Sequence, residues 1–243
     1  MARRIAMPGP KLRYMKDQEF EDEAALLLAE YSRQHVAVTA PPIPIDDIVA
    51  DYLRLSVFYK DLKEEFGVGD VLGALWVNKR QVDIDLGLVP EDNPSMLGRY
   101  HFTLAHEAGH WRLHRHLFQQ KANQLQLLPN NVERPEYICR SSDTEQIEYQ
   151  ANRFASCLLM PREMVKRAWH EWHGSMDAIY FGDLAVASDQ PPTGTKDDPI
   201  TRMLFEDAAR PLAATFEVSP DAMRIRLEDM KLLLRKREPS LFE

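Results

Sequence analysis

Apolar residues recur along this chain at two periods, and the switch between them outlines its elements. In EFEDEAALLLAEYSRQ, residues 19–34, apolar positions return at three and four residues, the spacing of one helix face. A proline cluster, APPIP, comes next. Pro44 is suited to open a second short helix over IDDIVADYL, because its missing N–H would have no partner in a first turn anyway. LSVFYKD then has the β-branched and aromatic character of a strand. In GALWVNKRQVDIDL the turn Asn78-Lys79-Arg80 separates Ala74-Leu75-Trp76-Val77 from the alternating Val82-Asp83-Ile84-Asp85, which predicts a β-hairpin in a small antiparallel sheet.

Helical periodicity returns after the hairpin and dominates the rest. Residues 143–160, DTEQIEYQANRFASCLLM, predict a long helix that stops near Met160, because Pro161 disfavours the helical conformation in the residue before it. A further helix is predicted through MVKRAWHEW. Residues 174–198, ending in GDLAVASDQPPTGTKDDP, are rich in turn formers and read as a loop or linker, and the last segment reads as helical. The pattern gives an arm over 1–17, a main domain over 18–175, a linker over 176–198 and a C-terminal helical part over 199–243.

Composition narrows the functional classes. The 243 residues are 44% hydrophobic, enough for a proper core, and the formal net charge of −8 argues against broad binding to nucleic acid or anionic membranes, which needs a basic field. The N-terminal stretch has charges but no continuous apolar run, and no stretch approaches the roughly 18 apolar residues of a membrane span. A cytoplasmic protein is expected. Cys139 and Cys157 are too few for a disulfide framework and form no CxxC pair, so both are expected to be reduced and structural.

The chemistry concentrates in HFTLAHEAGHWRLH, residues 101–114. His106 and His110 are four apart, so on a helix both imidazoles lie on one face about one turn apart and can reach a single point. Glu107 would stand beside a metal at that point rather than on it. The plain alternative is a pair of partly buried, hydrogen-bonded helix residues, and a third ligand would decide between the two. His116 stands where an extended HExxHxxGxxH pattern places its third histidine, but Leu113 replaces the required glycine. On an unbroken helix His116 is rotated by roughly 280° and carried about 15 Å from His106. His114 follows His110 by four yet lies about 12 Å from His106, which makes it a supporting or surface residue. The better source is the next long helix. Ser142-x-x-Glu145 fits a capping box, which gives Glu145 a structural role and leaves Glu148 available. Ala151 and Ala155, at three and seven residues from Glu148, would let that helix press against the histidine helix, with Ile147, Phe154 and Leu158 as apolar anchor. Two histidines and a glutamate with an open fourth position form a catalytic rather than structural zinc arrangement, and Asn152 is placed to orient a ligand.

YHFTLAHEAGHWRLH followed by IEYQANRFASCLLMP resembles the ImmA/IrrE family of metallopeptidases. The resemblance extends over roughly residues 20–235. It implies an α+β zincin-like fold, with a small twisted antiparallel sheet on the HExxH helix and a helical C-terminal part. It also implies His106, His110 and Glu148 as zinc ligands, with manganese as the alternative metal, and Glu107 as the catalytic carboxylate. Tyr100, His114, His170 and His173 are candidate donors to an oxyanion. Members of known function cleave helix-turn-helix repressors, so a protein substrate of that kind is expected. Neither an upstream DNA-binding domain nor a downstream sensory domain is expected.

A different class of function starts from PLAATFEVSPDAMRIRLEDM, which reads as helix, turn and helix, with Ser219 as N-cap and Pro220 at the first helical position. A DNA reader would present Arg224 and Arg226 to phosphates, but Asp221, Glu228 and Asp229 would stand beside them. Met223, Leu227, Met230 and Leu234 form an apolar stripe better suited to a protein surface, so direct DNA binding is disfavoured. A third reading keeps the metal fold as a binding module or a latent enzyme, and the intact Glu107 argues against a dead one.

Overall fold

A computed structural model describes residues 12–67, 69–117, 135, 137–140, 145–185 and 198–235. Helix α1 spans Asp17–Ser32. A short helix α2, Ile45–Asp47, runs on as a π-helical turn over Ile48–Tyr52. Strand β1, Ser56–Lys60, leads into α3, Leu62–Phe66, then β2, Val71–Trp76, and β3, Gln81–Asp85. The histidine helix α4, Leu97–Gly109, continues as a π-helical turn over His110–His114. Strand β4 is Tyr137–Arg140, α5 is Gln146–Leu159 and α6 is Arg162–His173. The remainder is β5, Ile179–Tyr180; α7, Phe181–Ala185; α8, Pro199–Phe216; α9, Pro220–Asp229; and β6, Leu233–Leu234.

The α+β architecture is the expected one, with a difference at one edge of the sheet. Strand order is β1-β3-β2-β4. The hairpin β2–β3 is antiparallel, with Ala74 opposite Asp83 and Trp76 opposite Gln81, and β4 adds antiparallel to β2. β1 joins β3 in parallel, so the sheet is mixed. The direction of β1 depends on which side of the hairpin the chain reaches first, and alternation of side chains carries no information on that.

Four local readings change. Helix α3 was not foreseen; Asp61 caps it by accepting from the Glu64 N–H, and Gly67 ends it at φ 65°. Part of the expected 174–198 loop is ordered as β5 and α7, because Ile179 and Tyr180 find strand partners in Leu233 and Leu234, far along the chain. Glu145 is the N-cap residue of α5 and makes no side-chain cap bond, so it does not stand third in a capping box; Ser142 lies outside the described residues. The histidine helix passes into a π-helical turn at His110 instead of continuing as a regular helix.

Helices α4 and α5 cross closely because Gly109 faces Ala151: a Cβ at Gly109 would come 3.2 Å from the Ala151 carbonyl oxygen. The C-terminal helices share the same core. Ser219 caps α9 by accepting from the Ala222 N–H, and Met223 and Leu227 are fully buried in that core. Arg226 does not face outward as a phosphate contact would. It is buried, donating to both Glu21 carboxylate oxygens and to the Met160 carbonyl, while Arg224 is paired with Asp221 and Glu228.

Candidate metal centre

Three side chains converge between α4 and α5. His106 and His110 project from one face of α4 and its π-helical continuation, with their Nε2 atoms 2.9 Å apart. Glu148, in the first turn of α5, brings Oε2 to 3.0 Å from His106 Nε2 and Oε1 to 3.3 Å from His110 Nε2. All three are buried. Ligands on a tetrahedral zinc with bonds of ~2.0–2.1 Å lie ~3.3 Å from one another, so these separations fit donors to a single ion.

The remaining ring nitrogens are committed elsewhere. His106 Nδ1 is 2.9 Å from Asn152 Oδ1, an acceptor, so the proton sits on Nδ1 and Nε2 keeps its lone pair for the centre. His110 Nδ1 meets His114 Nδ1 at 3.1 Å, and the His110 ring stacks on Tyr137 with centroids 4.0 Å apart. Burial pushes the His110 imidazole down to about 3 and His114 down to about 4, so both rings are neutral at physiological pH. Glu148 is the opposite case: burial raises a carboxyl, but the close His106 and His110 rings more than reverse it, and the group is held ionised.

Glu107 is fully buried and, among the described residues, neither of its carboxylate oxygens has a hydrogen-bond partner. Burial, with Glu148 and Asp83 nearby, drives its pKa well up. A carboxylate in that state costs several kcal/mol unless a cation or a proton compensates it, and a bound metal would be such a cation. Its place is made by Gly73 on β2, where a Cβ would come 2.7 Å from Glu107 Oε1. Cys139, opposite Gly73 on β4, lies with His106 and Glu107 in a second close group. Both cysteines are buried and free. The donor set of two neutral imidazoles and a carboxylate, with an uncompensated carboxylate alongside, suits a divalent metal cation.

The four candidate oxyanion donors have other neighbours in the fold. Tyr100 is on another face of α4, donating to Asp46 and bonded to Tyr59. Its phenol is pushed far up by burial and those bonds. His114 lies behind His110. On α6, His170 borders a shallow pocket with Glu163 and Lys166, and the His173 ring packs against Trp169 at 5.3 Å. Gly73, Tyr137 and Gln150 were not anticipated. Gln150, next to the Ala151-Asn152 pair, sat in plain view, whereas nothing in the sequence signals Tyr137.

A cleft of about 790 Å³ opens on His106 and Asn152, walled by Phe102 and Arg99 of α4, Tyr149 of α5, and Ala222 and Ile225 of α9. A groove of this size admits an extended peptide segment. Among the described residues no helix is long and apolar enough to cross a membrane. A search of curated proteins found no match. The family model of the IrrE N-terminal-like peptidase domain matches residues 91–228, which hold the histidine helix, Glu148 and both C-terminal helices, and on that match over more than half its length the chain belongs to this peptidase family.

Proposed function

We propose that this protein is a zinc-dependent endopeptidase acting inside the cell, with His106, His110 and Glu148 as the metal ligands and Glu107 as the general base. One observation carries the reading: a fully buried carboxylate without a hydrogen-bond partner among the described residues stands next to three mutually close donors. When bound, zinc would supply Lewis-acid polarisation of the scissile carbonyl and would acidify a water. The chain's own part follows from its geometry. Glu107 accepts the proton of the attacking water and passes it to the leaving amine nitrogen, and its dry surroundings keep the carboxylate basic enough for that task. Asn152 orients His106, and stacking on Tyr137 holds the His110 ring. Manganese would fit the same donors less well, since it favours oxygen ligands.

We further propose a helix-turn-helix repressor as substrate, on the family resemblance and on a cleft able to take an exposed loop or linker. The division into a catalytic domain over 18–175 and a C-terminal helical subdomain over 199–243 is part of the same proposal. Direct DNA reading by α9 is disfavoured by the engagement of Arg224 and Arg226 within the fold.

Elemental analysis of wild type, Glu148→Ala and Glu145→Ala tests the centre. About one zinc per chain is expected in wild type and Glu145→Ala, and its loss in Glu148→Ala. Incubating the zinc-loaded protein with repressors encoded near its own gene, followed by mass spectrometry, tests the substrate. Intact repressors would sink that half of the proposal alone.

A further inference from the structure

A line of hydrogen bonds leaves the back of the metal centre and ends on the N-terminal segment. His110 Nδ1 is 3.1 Å from His114 Nδ1, and His114 Nε2 is 3.0 Å from Gln150 Oε1. Gln150 Nε2 donates to the backbone carbonyl of Arg13 at 2.7 Å. All three side chains are buried.

The direction of each bond follows from the one before it. A backbone carbonyl can only accept, so the Gln150 amide turns its nitrogen to Arg13 and its oxygen to His114. That oxygen can only accept, so His114 carries its proton on Nε2 and offers a lone pair at Nδ1. His110 must then carry its proton on Nδ1, which leaves a lone pair on Nε2, the atom facing His106 and Glu148. A histidine ligand is commonly held by one carboxylate or carbonyl on its far nitrogen. Here a second histidine and an amide are interposed, and the terminal acceptor belongs to the segment that precedes α1, from which α5 is otherwise distant in sequence.

We propose that His114 and Gln150 form a positioning relay that fixes the metal-binding tautomer of His110 and couples the hold on the metal to docking of the segment around Arg13. The inference rests on the reading of His106, His110 and Glu148 as metal ligands, and adds a means of regulating that site. Because coupling between two binding events is reciprocal, a docked segment strengthens the metal site and a bound metal strengthens docking by the same factor. A partner that pulls the segment away would weaken the site without touching the cleft.

The test uses the full chain and zinc itself as probe. Zinc affinity is measured by competition with a chromophoric chelator for wild type, His114→Leu, Gln150→Leu and the double variant. Each single variant is expected to bind ~10–100-fold more weakly, the usual effect of losing a ligand's hydrogen-bond support. The double variant should bind no more weakly than the worse single, because both substitutions interrupt one line; independent packing damage would multiply instead. In parallel, trypsin cleavage after Arg13 is timed with and without zinc. Wild type should be cut more slowly when loaded, and Gln150→Leu at one rate in both states. Zinc-binding wild type with variants of unchanged affinity, multiplying losses, or wild-type cleavage indifferent to zinc would each overturn the relay while leaving the metal reading intact. Should wild type bind zinc no better than Glu148→Ala, the metal reading itself fails and takes the relay with it.

Discussion

Arg226 and Glu107 are both charged residues with 0% of their surface exposed, yet they are finished in opposite ways. Each of the three Arg226 nitrogens has an acceptor: Nε donates to the Met160 carbonyl, and Nη1 and Nη2 to the two oxygens of Glu21, which Arg162 also meets. The cluster ties α9 to α1 and to the end of α5, and every Arg226 nitrogen is engaged in it. Glu107 accepts no hydrogen bond at either oxygen from the described residues and has two other carboxylates nearby. A closed cluster spends its charge on holding elements together. An open one keeps a charge unsatisfied, at a cost to stability, where chemistry or a cation can use it.

The largest test of this contrast is Glu107→Gln. It should retain the metal and the fold while peptide-bond hydrolysis falls by ~10²–10⁴-fold, the usual effect of removing a general base. Metal analysis beside a cleavage assay checks it, and activity within tenfold of wild type would remove Glu107 from the chemistry. Arg226→Met probes the closed cluster. It should destabilise the protein by about 3 kcal/mol in urea unfolding, the low end for breaking a buried pair, because Arg162 still meets Glu21. Its pH dependence has a definite sign. Burial raises the Glu21 carboxyl, but bonds and charges of Arg226 and Arg162 outweigh that and leave it below its ordinary 4.5. A lowered folded pKa contributes stability above the unfolded value and loses it as pH falls through the folded one. The gap between wild type and Arg226→Met should thus be steady above pH 4.5 and narrow in more acid solution.

Gly73→Ala would sharpen the comparison from the sheet side. The new Cβ, 2.7 Å from Glu107 Oε1, must displace that carboxylate, and activity should drop by up to ~10²-fold, as for a catalytic group moved by about 1 Å. A melting temperature near wild type alongside the loss would show that the glycine serves the open cluster. The smallest effect is expected from Ser219→Ala. Loss of the α9 cap should cost ~1 kcal/mol with little change in metal content. A marked loss of metal would mean that the two clusters are less separate than their bonding indicates.

How much could be read from the chain depended on how far apart the interacting residues lie. The hairpin over Val71–Asp85 follows from alternation and a local turn, and the α9 cap from Ser219 and Pro220 side by side. The approach of α5 to α4 was legible through Ala151, though its partner Gly109 was not recognised as such. The surroundings of the four oxyanion candidates were not legible, because residue type says nothing of where a ring points. Tyr100 is turned to Asp46, 54 residues away in the chain, and His114 is turned to Gln150. Strand β4 and the β5–β6 pair were missed because short strands exist only through partners distant in sequence.

The sequence by itself determined that two imidazoles share one helix face with a glutamate beside them, since helical periodicity is a property of neighbouring residues. It determined the amphipathic helices and the strands of the hairpin for the same reason. Tertiary structure alone decided that Glu107 would be sealed against Gly73 without a hydrogen-bond partner among the described residues, that Arg226 would turn inward to Glu21, and that a carbonyl before α1 would stand at the end of a line from His110. Those outcomes turn on desolvation and on which distant groups arrive at hydrogen-bond distance, and both are set only when the helices and the sheet have packed.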